Sequence, residues 1–229
     1  MRLVDLSRTI SHQEPGNAGG VPVQVWPWLT HEQTKPRYKT DYSFSNRLLT
    51  FSDHASTHVD APRHFNARPD AMDISEVPLE RFYGPAVCVD VTSTERPTWV
   101  DTRDIQSGLR KNDLTIQPND IVLFFTDHYR KTYPRPEYFS DYPGLTPEAA
   151  TWLSEQGVRN FGVEAPNAGH PSDREFQVHV VCRETGMIHM EGLANLDQVV
   201  GKRFTFIGFP LKISNGTGSP IRAVAVLDE

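Results

Sequence analysis

The chain has 229 residues, with 29 acidic against 23 basic side chains for a formal charge of -6, and 9 His, 18 Pro and 15 Gly but only 2 Cys. That length makes one large domain or two small ones and is enough to bury a core without covalent staples. The acidic balance excludes a binder that works by neutralising nucleic-acid phosphates, the two distant cysteines (Cys88 and Cys182) exclude a disulfide framework or a thiolate zinc site, and no apolar run approaches the roughly 20 residues a membrane-spanning helix requires.

The opening MRLVDLSRTIS has no basic stretch leading into an apolar one, so a cytoplasmic protein is expected. Residues 3–6 fit a short strand. Residues 11–50 read as a long excursion, because Pro15, Gly16, Gly19, Gly20, Pro22, Pro27 and Pro36 interrupt any helix. Excursions of this length are functional or disordered. Here Trp26 and Trp28 flank Pro27 as an apolar anchor, which favours an ordered flap that covers a substrate or touches a neighbouring subunit. From residue 85 the signals become regular. Residues 86–91 and 120–126 are apolar runs of the buried-strand type. Thr146 is a candidate N-cap, Pro147 fits the first helical position, Glu148 suits the positive end of the dipole, and Gly157 stands where a C-terminal cap belongs. Residues 158–163 return as a strand, and strand, helix and strand in this order suggest a crossover in a partly parallel sheet. Residues 193–200 fit a shorter helix closed by Gly201, and 203–213 and 220–227 read as two final strands. With no internal repeat, low-complexity tract or linker, residues 1–229 read as a single mixed α/β domain.

Residues 53–66 read Asp-His-Ala-Ser-Thr-His-Val-Asp-Ala-Pro-Arg-His-Phe-Asn, so His54, His58, Asp60 and His64 fall within eleven positions. His54 and His58 meet on one face of a helix or converge from a folded loop. Asp60, two residues beyond His58, returns to the same side of an extended segment. Pro62 forbids a regular helix through the segment and points to a rigid turn. Imidazoles with a carboxylate and no thiol are ligands for zinc, manganese or iron at an open catalytic site. The bland alternative is a set of solvated surface histidines.

The string His54-x-Ser56-Thr57-His58-x-Asp60-x-Pro62-x-His64-Phe65 resembles the HxGTHxDxPxHF signature of the cyclase-like metal-dependent hydrolases, which include bacterial kynurenine formamidases and isatin hydrolases. The resemblance covers nearly the whole chain. It takes in Asp5-Leu6-Ser7, Leu79-Glu80 with Gly84-Pro85, Asp120 to Thr126, Gly144-Leu145-Thr146, and Gly218-Ser219-Pro220-Ile221-Arg222-Ala223. It implies a single mixed-sheet α/β domain of the swivelling β/β/α type. It also implies that His54, His58 and Asp60 hold a first metal, that Asp60 bridges to a second, and that His64 is the catalytic acid/base. His179 and Glu191, twelve residues apart, match the remaining ligands of the second metal, and Glu191 heads a stretch similar to the family's EnLxNL. His189 and His170 are weaker candidates, better read as surface histidines or as neighbours of the ligands. His12, His31 and His128 have no expected chemical role, although His12 and His31 belong to the excursion. Three departures stand out: Ser56 replaces the usual Gly, Glu164 stands where many members carry Asp, and residues 11–50 do not reproduce the compact tryptophan loop of the formamidases.

What the resemblance implies is hydrolysis of an amide, lactam, lactone or ester in a small cyclic or aromatic substrate. Two divalent ions per chain, zinc or manganese, would activate water, and His64 would pass a proton to the leaving atom. Trp26, Trp28 and Phe65 are candidates to line an apolar substrate pocket, with ordinary packing as the alternative. Kynurenine formamidase activity proper, a cyclase or dehydratase reaction on the same centre, and a non-catalytic metal- or ligand-binding module are the other readings. The family likeness implies a homodimer or homotetramer that takes a small-molecule substrate.

Overall fold

Runs that are apolar at every position suit strands covered on both faces, and these form the middle of the molecule. The computed structural model of the chain describes residues 1–15, 20–92 and 98–228. In chain order its strands are β1 (Arg2–Asp5), β2 (Gln24–Leu29), β3 (Asn46–Thr50), β4 (His58–Asp60), β5 (Tyr83–Asp90), β6 (Trp99–Val100), β7 (Ile121–Phe125), β8 (Gly144–Leu145), β9 (Asn160–Val163), β10 (Ile188–Glu191), β11 (Arg203–Ile207), β12 (Gly218–Pro220) and β13 (Val224–Leu227). The helices are α1 (His31–Thr34), α2 (Pro62–Phe65), α3 (Thr102–Lys111), α4 (His128–Thr132), α5 (Pro147–Glu155) and α6 (Gln177–Thr185). Nine of these strands make one mixed sheet in the order β1-β13-β11-β5-β7-β9-β10-β4-β12. The pairs β5–β7, β7–β9 and β9–β10 are parallel, and antiparallel strands flank them on both sides.

The strand period of two divides the core between the two faces. Ala86, Cys88, Ile121 and Leu123 join one cluster, which Leu6, Phe82, Leu193 and Phe206 complete. Val87, Val89, Val122 and Phe124 join the other, where α3, α5 and α6 contribute Ile105, Leu153, Val178 and Cys182. The expected α5 signals are used: Thr146 accepts the Ala149 N–H at 3.1 Å, Pro147 opens the helix, and Gly157 follows it at φ +82.

Several elements differ from expectation. Residues 193–200 contain only a single 3₁₀ turn (Leu196–Gln198), because Gly192 and Asn195 take left-handed φ values of +67 and +56 that interrupt an α-helical path. The strand expected over 203–213 ends at Ile207, and β12 is an added short strand. Neither α3 nor α6 is anticipated. α6 follows Phe176, a left-handed residue (φ +51) with no side-chain cap, so no start signal precedes it. Within the excursion, β2 and β3 pair as an antiparallel hairpin that encloses α1. Gly16 and Gly19, two of its expected breakers, lie outside the described residues. Among the described residues no helix is long and apolar enough to cross a membrane.

Candidate metal centre

β4 lies between β10 and β12, and this register assembles the centre. Asp60 is opposite His189 on one side and Gly218 on the other, while His58 is opposite Glu191. His58 and Asp60, two apart on a strand, point to the same side, as the spacing predicts. Pro62 then occupies the first position of the one-turn α2, which carries His64 and Phe65. His54 comes from the loop before β4 and His179 from α6.

Ser56 stands in the conformation that the family's glycine would favour, at φ +59, and its carbonyl oxygen accepts from His58 Nδ1 at 3.1 Å. That bond leaves His58 Nε2 facing Asp60 Oδ1 at 3.3 Å and Glu191 Oε2 at 3.5 Å. The Thr57 hydroxyl donates to the Gly192 carbonyl at 2.6 Å and accepts the Arg8 N–H at 2.8 Å, tying the motif to the end of β10. Glycine is required at 192, because at φ +67 a Cβ would lie 2.7 Å from the Ser56 oxygen.

Asp60 is the hub. His54 Nδ1 lies 2.7 Å from its Oδ1, and His189, His179 and His64 present Nε2 to its Oδ2 at 3.2, 3.7 and 3.7 Å. Burial opposes ionisation of this carboxyl, but the imidazoles of His179, His189 and His54 outweigh it and hold Asp60 well below the usual carboxylate range. Burial likewise pulls His54 down, and the Asp60 carboxylate outweighs it, so His54 is raised. On its far side His54 Nε2 meets the Thr217 hydroxyl at 2.9 Å, and that hydroxyl donates to Asp53 at 2.8 Å. His64 is lowered, chiefly by burial, with Asp60 opposing and His54 and His179 assisting. Glu191 accepts the Ala168 N–H at 2.9 Å and lies 4.0 Å from His179 Nε2.

The donor set fits divalent ions. Asp60, His179, His189 and Glu191 offer ligand atoms that all lie within 4.8 Å of one another, and so do His54, Asp60 and His64. His58 Nε2, His179 Nδ1 and His189 Nε2 are buried without a hydrogen-bond partner, a costly state for nitrogens that meet only other side chains.

A cavity of about 470 Å³ opens over the centre, lined by His54, Asp60, His64, His179 and Glu191 together with Tyr142 and Arg174. Phe65, with Phe176, lines an adjoining recess that shares His64 and His179. Trp26 and Trp28 do not line either recess. They lie 50% and 66% exposed on the β2–β3 hairpin, where Trp26 packs edge-on against His12. His31 bonds to Ser43, and His128 is buried with Nε2 3.0 Å from the Tyr138 carbonyl. His170 and His189 are not surface residues: His170 lines the cavity, stacked on Trp99 at 4.2 Å, and His189 is fully buried within the centre. The signal for His189 was its place two residues before Glu191 on a strand, which puts both on one face.

Comparison with known proteins bears on this site directly. Residues 4–170 match the family model described as "Putative cyclase". The chain belongs to the cyclase family. It is similar to the kynurenine formamidase of Salinibacter ruber (strain DSM 13855 / M31), 32% identical over 227 residues that cover 98% of this chain and 97% of that protein. The kynurenine formamidase of Erythrobacter litoralis (strain HTCC2594) is 27% identical over 97% of this chain and 93% of its own length. Among solved structures, isatin hydrolase A from Labrenzia aggregata bound to benzyl benzoate superposes with a TM-score of 0.85 at 26% identity, covering 100% of this chain and 94% of that one. The cyclase-family fold and the mixed α/β class expected from the motif are therefore those observed.

Proposed function

We propose that this cyclase-family chain is a metal-dependent hydrolase, built as one domain over residues 1–229. It would cleave an amide, lactam, lactone or ester bond in a small cyclic or aromatic substrate. The observation that carries this reading is the convergence of His54, His58, His64, His179 and His189 on two buried carboxylates, Asp60 and Glu191, at the base of a cavity. His54, His58 and Asp60 would hold one ion, and Asp60, His179 and Glu191 a second. Nitrogen and oxygen donors without thiolate suit zinc or manganese. Such ions, when bound, acidify water and polarise a carbonyl oxygen.

The remaining roles fall to the chain itself. His64 is the centre's most exposed imidazole, with its side chain 38% exposed toward the cavity. Asp60, 3.7 Å behind it, offsets the charge of its protonated form while burial favours the neutral one. An imidazole held in that balance can take up and release a proton at the leaving nitrogen or oxygen near neutral pH. Phe65 and Phe176 offer apolar area to an aromatic ring, and Arg174 at the cavity offers a cation to a carboxylate. The exposed hairpin bearing Trp26 and Trp28 supports a homo-oligomer in which it covers a neighbouring copy.

Elemental analysis should find about two divalent ions per chain. A panel of N-formyl anilines, cyclic amides and lactones should yield hydrolysis products that chelation abolishes and the metal restores. Folded protein that binds no ion and turns over no member of the panel would sink the reading. Ring closure or dehydration would be recognised by its different products.

A further inference from the structure

His189 is outside the ligand set that the motif implies, yet the structure encloses it at the heart of the centre. It lies on β10 directly opposite Asp60 of β4, and it leaves the same face of the strand as Glu191. Its side chain is fully buried. The ring stacks on Phe161 at 5.4 Å and on Phe65 at 5.9 Å, and His179 meets it edge-on at 4.7 Å. So enclosed, the ring presents Nε2 in a single direction.

That direction is toward both carboxylates. Nε2 lies 3.2 Å from Asp60 Oδ2 and 3.2 Å from Glu191 Oε1, yet it makes no hydrogen bond. A nitrogen and an oxygen sharing one tetrahedral zinc, at roughly 2.0–2.2 Å each, stand about 3.3–3.6 Å apart. The spacing is that of two ligands to one ion. The opposite ring nitrogen, Nδ1, lies 3.6 Å from the buried Cys182 Sγ. A ligating histidine keeps its second nitrogen protonated and donates it to an acceptor that fixes the ring. Here a thiol sulfur on α6 stands in that place, one turn beyond His179 on the same helix.

We propose that His189 is a ligand of the ion held by Asp60, His179 and Glu191, with Cys182 orienting its imidazole. The inference rests on the metal reading above. It makes the two ions unequal. Four protein ligands close a site, whereas three leave a position open. The ion on Asp60, His179, His189 and Glu191 would therefore be the more tightly held, and the one on His54, His58 and Asp60 would exchange more readily.

Anomalous diffraction from wild-type crystals loaded with zinc tests this without a mutation. The expected result is an ion roughly 2.0–2.1 Å from His189 Nε2. An ion on Asp60, His179 and Glu191 with His189 Nε2 outside bonding distance overturns the inference and leaves the metal reading standing. Wild-type protein that takes up no zinc overturns both. In solution, zinc titration against a chromophoric chelator should show His189→Phe losing about 100-fold in affinity for one ion while the other changes less than threefold. Cys182→Ala should lose about 10-fold at that same ion. Two unchanged affinities in a folded His189→Phe variant refute the proposal, and if that variant does not fold the wild-type diffraction decides.

Discussion

Gly218→Ala adds one methyl group where β12 passes closest to the centre. A Cβ at 218 would lie 2.8 Å from His54 Cε1 and 2.8 Å from the Val59 carbonyl oxygen. Ordinary contact begins at 3.4 Å, so each neighbour would have to retreat by 3.4 − 2.8 = 0.6 Å. Neither can do so freely. The Val59 oxygen belongs to β4, and the His54 ring is pinned at 2.7 Å to Asp60 and at 2.9 Å to Thr217. Overpacking of this kind costs about 1–3 kcal/mol, which for a chain of this size lowers Tm by roughly 2–12 °C. Moving His54 off Asp60 should also weaken one ion by roughly 10–100-fold. Calorimetry of the metal-free protein and zinc titration read the two effects separately. Gly169→Ala is the control, because a Cβ there would find ordinary contacts of 3.4 to 3.6 Å. If Gly218→Ala kept the wild-type Tm and both affinities, the close approach of β12 to His54 would not be a real constraint.

Three further outcomes are expected. His64→Ala should keep both ions by elemental analysis while turnover falls about 10²–10⁴-fold; unchanged turnover would remove His64 from proton transfer. Asp60→Asn deprives the surrounding imidazoles of their shared counter-charge, so zinc content should fall from about two ions toward none, and a variant that retained both would show that Asp60 is not the bridge. Glu164, buried, is pushed up to about 7 by desolvation, against the hydrogen bonds from Thr126 and the His128 N–H. The folded chain therefore holds this proton between about pH 4.5, its ordinary value, and about pH 7, whereas the unfolded chain releases it. Its contribution to stability falls as pH rises through that window, by about 3 kcal/mol in all. Denaturant titrations of metal-free Glu164→Gln should show that slope removed, and an identical slope in variant and wild type would refute the assignment.

The sequence by itself determined what is local. His58 and Asp60 share a face because a strand repeats every two residues. Pro62 marks a rigid turn because its ring sets φ, and in the structure that turn is the single turn of α2. The runs at 86–91 and 120–126 are buried strands because both of their faces are apolar, and α5 announces itself through Thr146, Pro147 and Gly157. The first candidate ligand group was legible for the same reason, since all of it lies within eleven residues.

What lies far apart in the chain needed the tertiary structure. α6 begins at an uncapped left-handed residue, so it has no start signal, and His179 reaches Asp60 only because that helix packs against α2 and α5. The β4–β10 register sets His189 against Asp60, and burial between Phe161, Phe65 and Cys182 places a histidine expected at the surface or beside the ligands within the centre. The hairpin of Trp26 and Trp28 stands away from the cavity because its strands pair only with each other, outside the nine-stranded sheet. Pairing and packing between distant segments decide these positions, and local sequence periodicity carries no record of them.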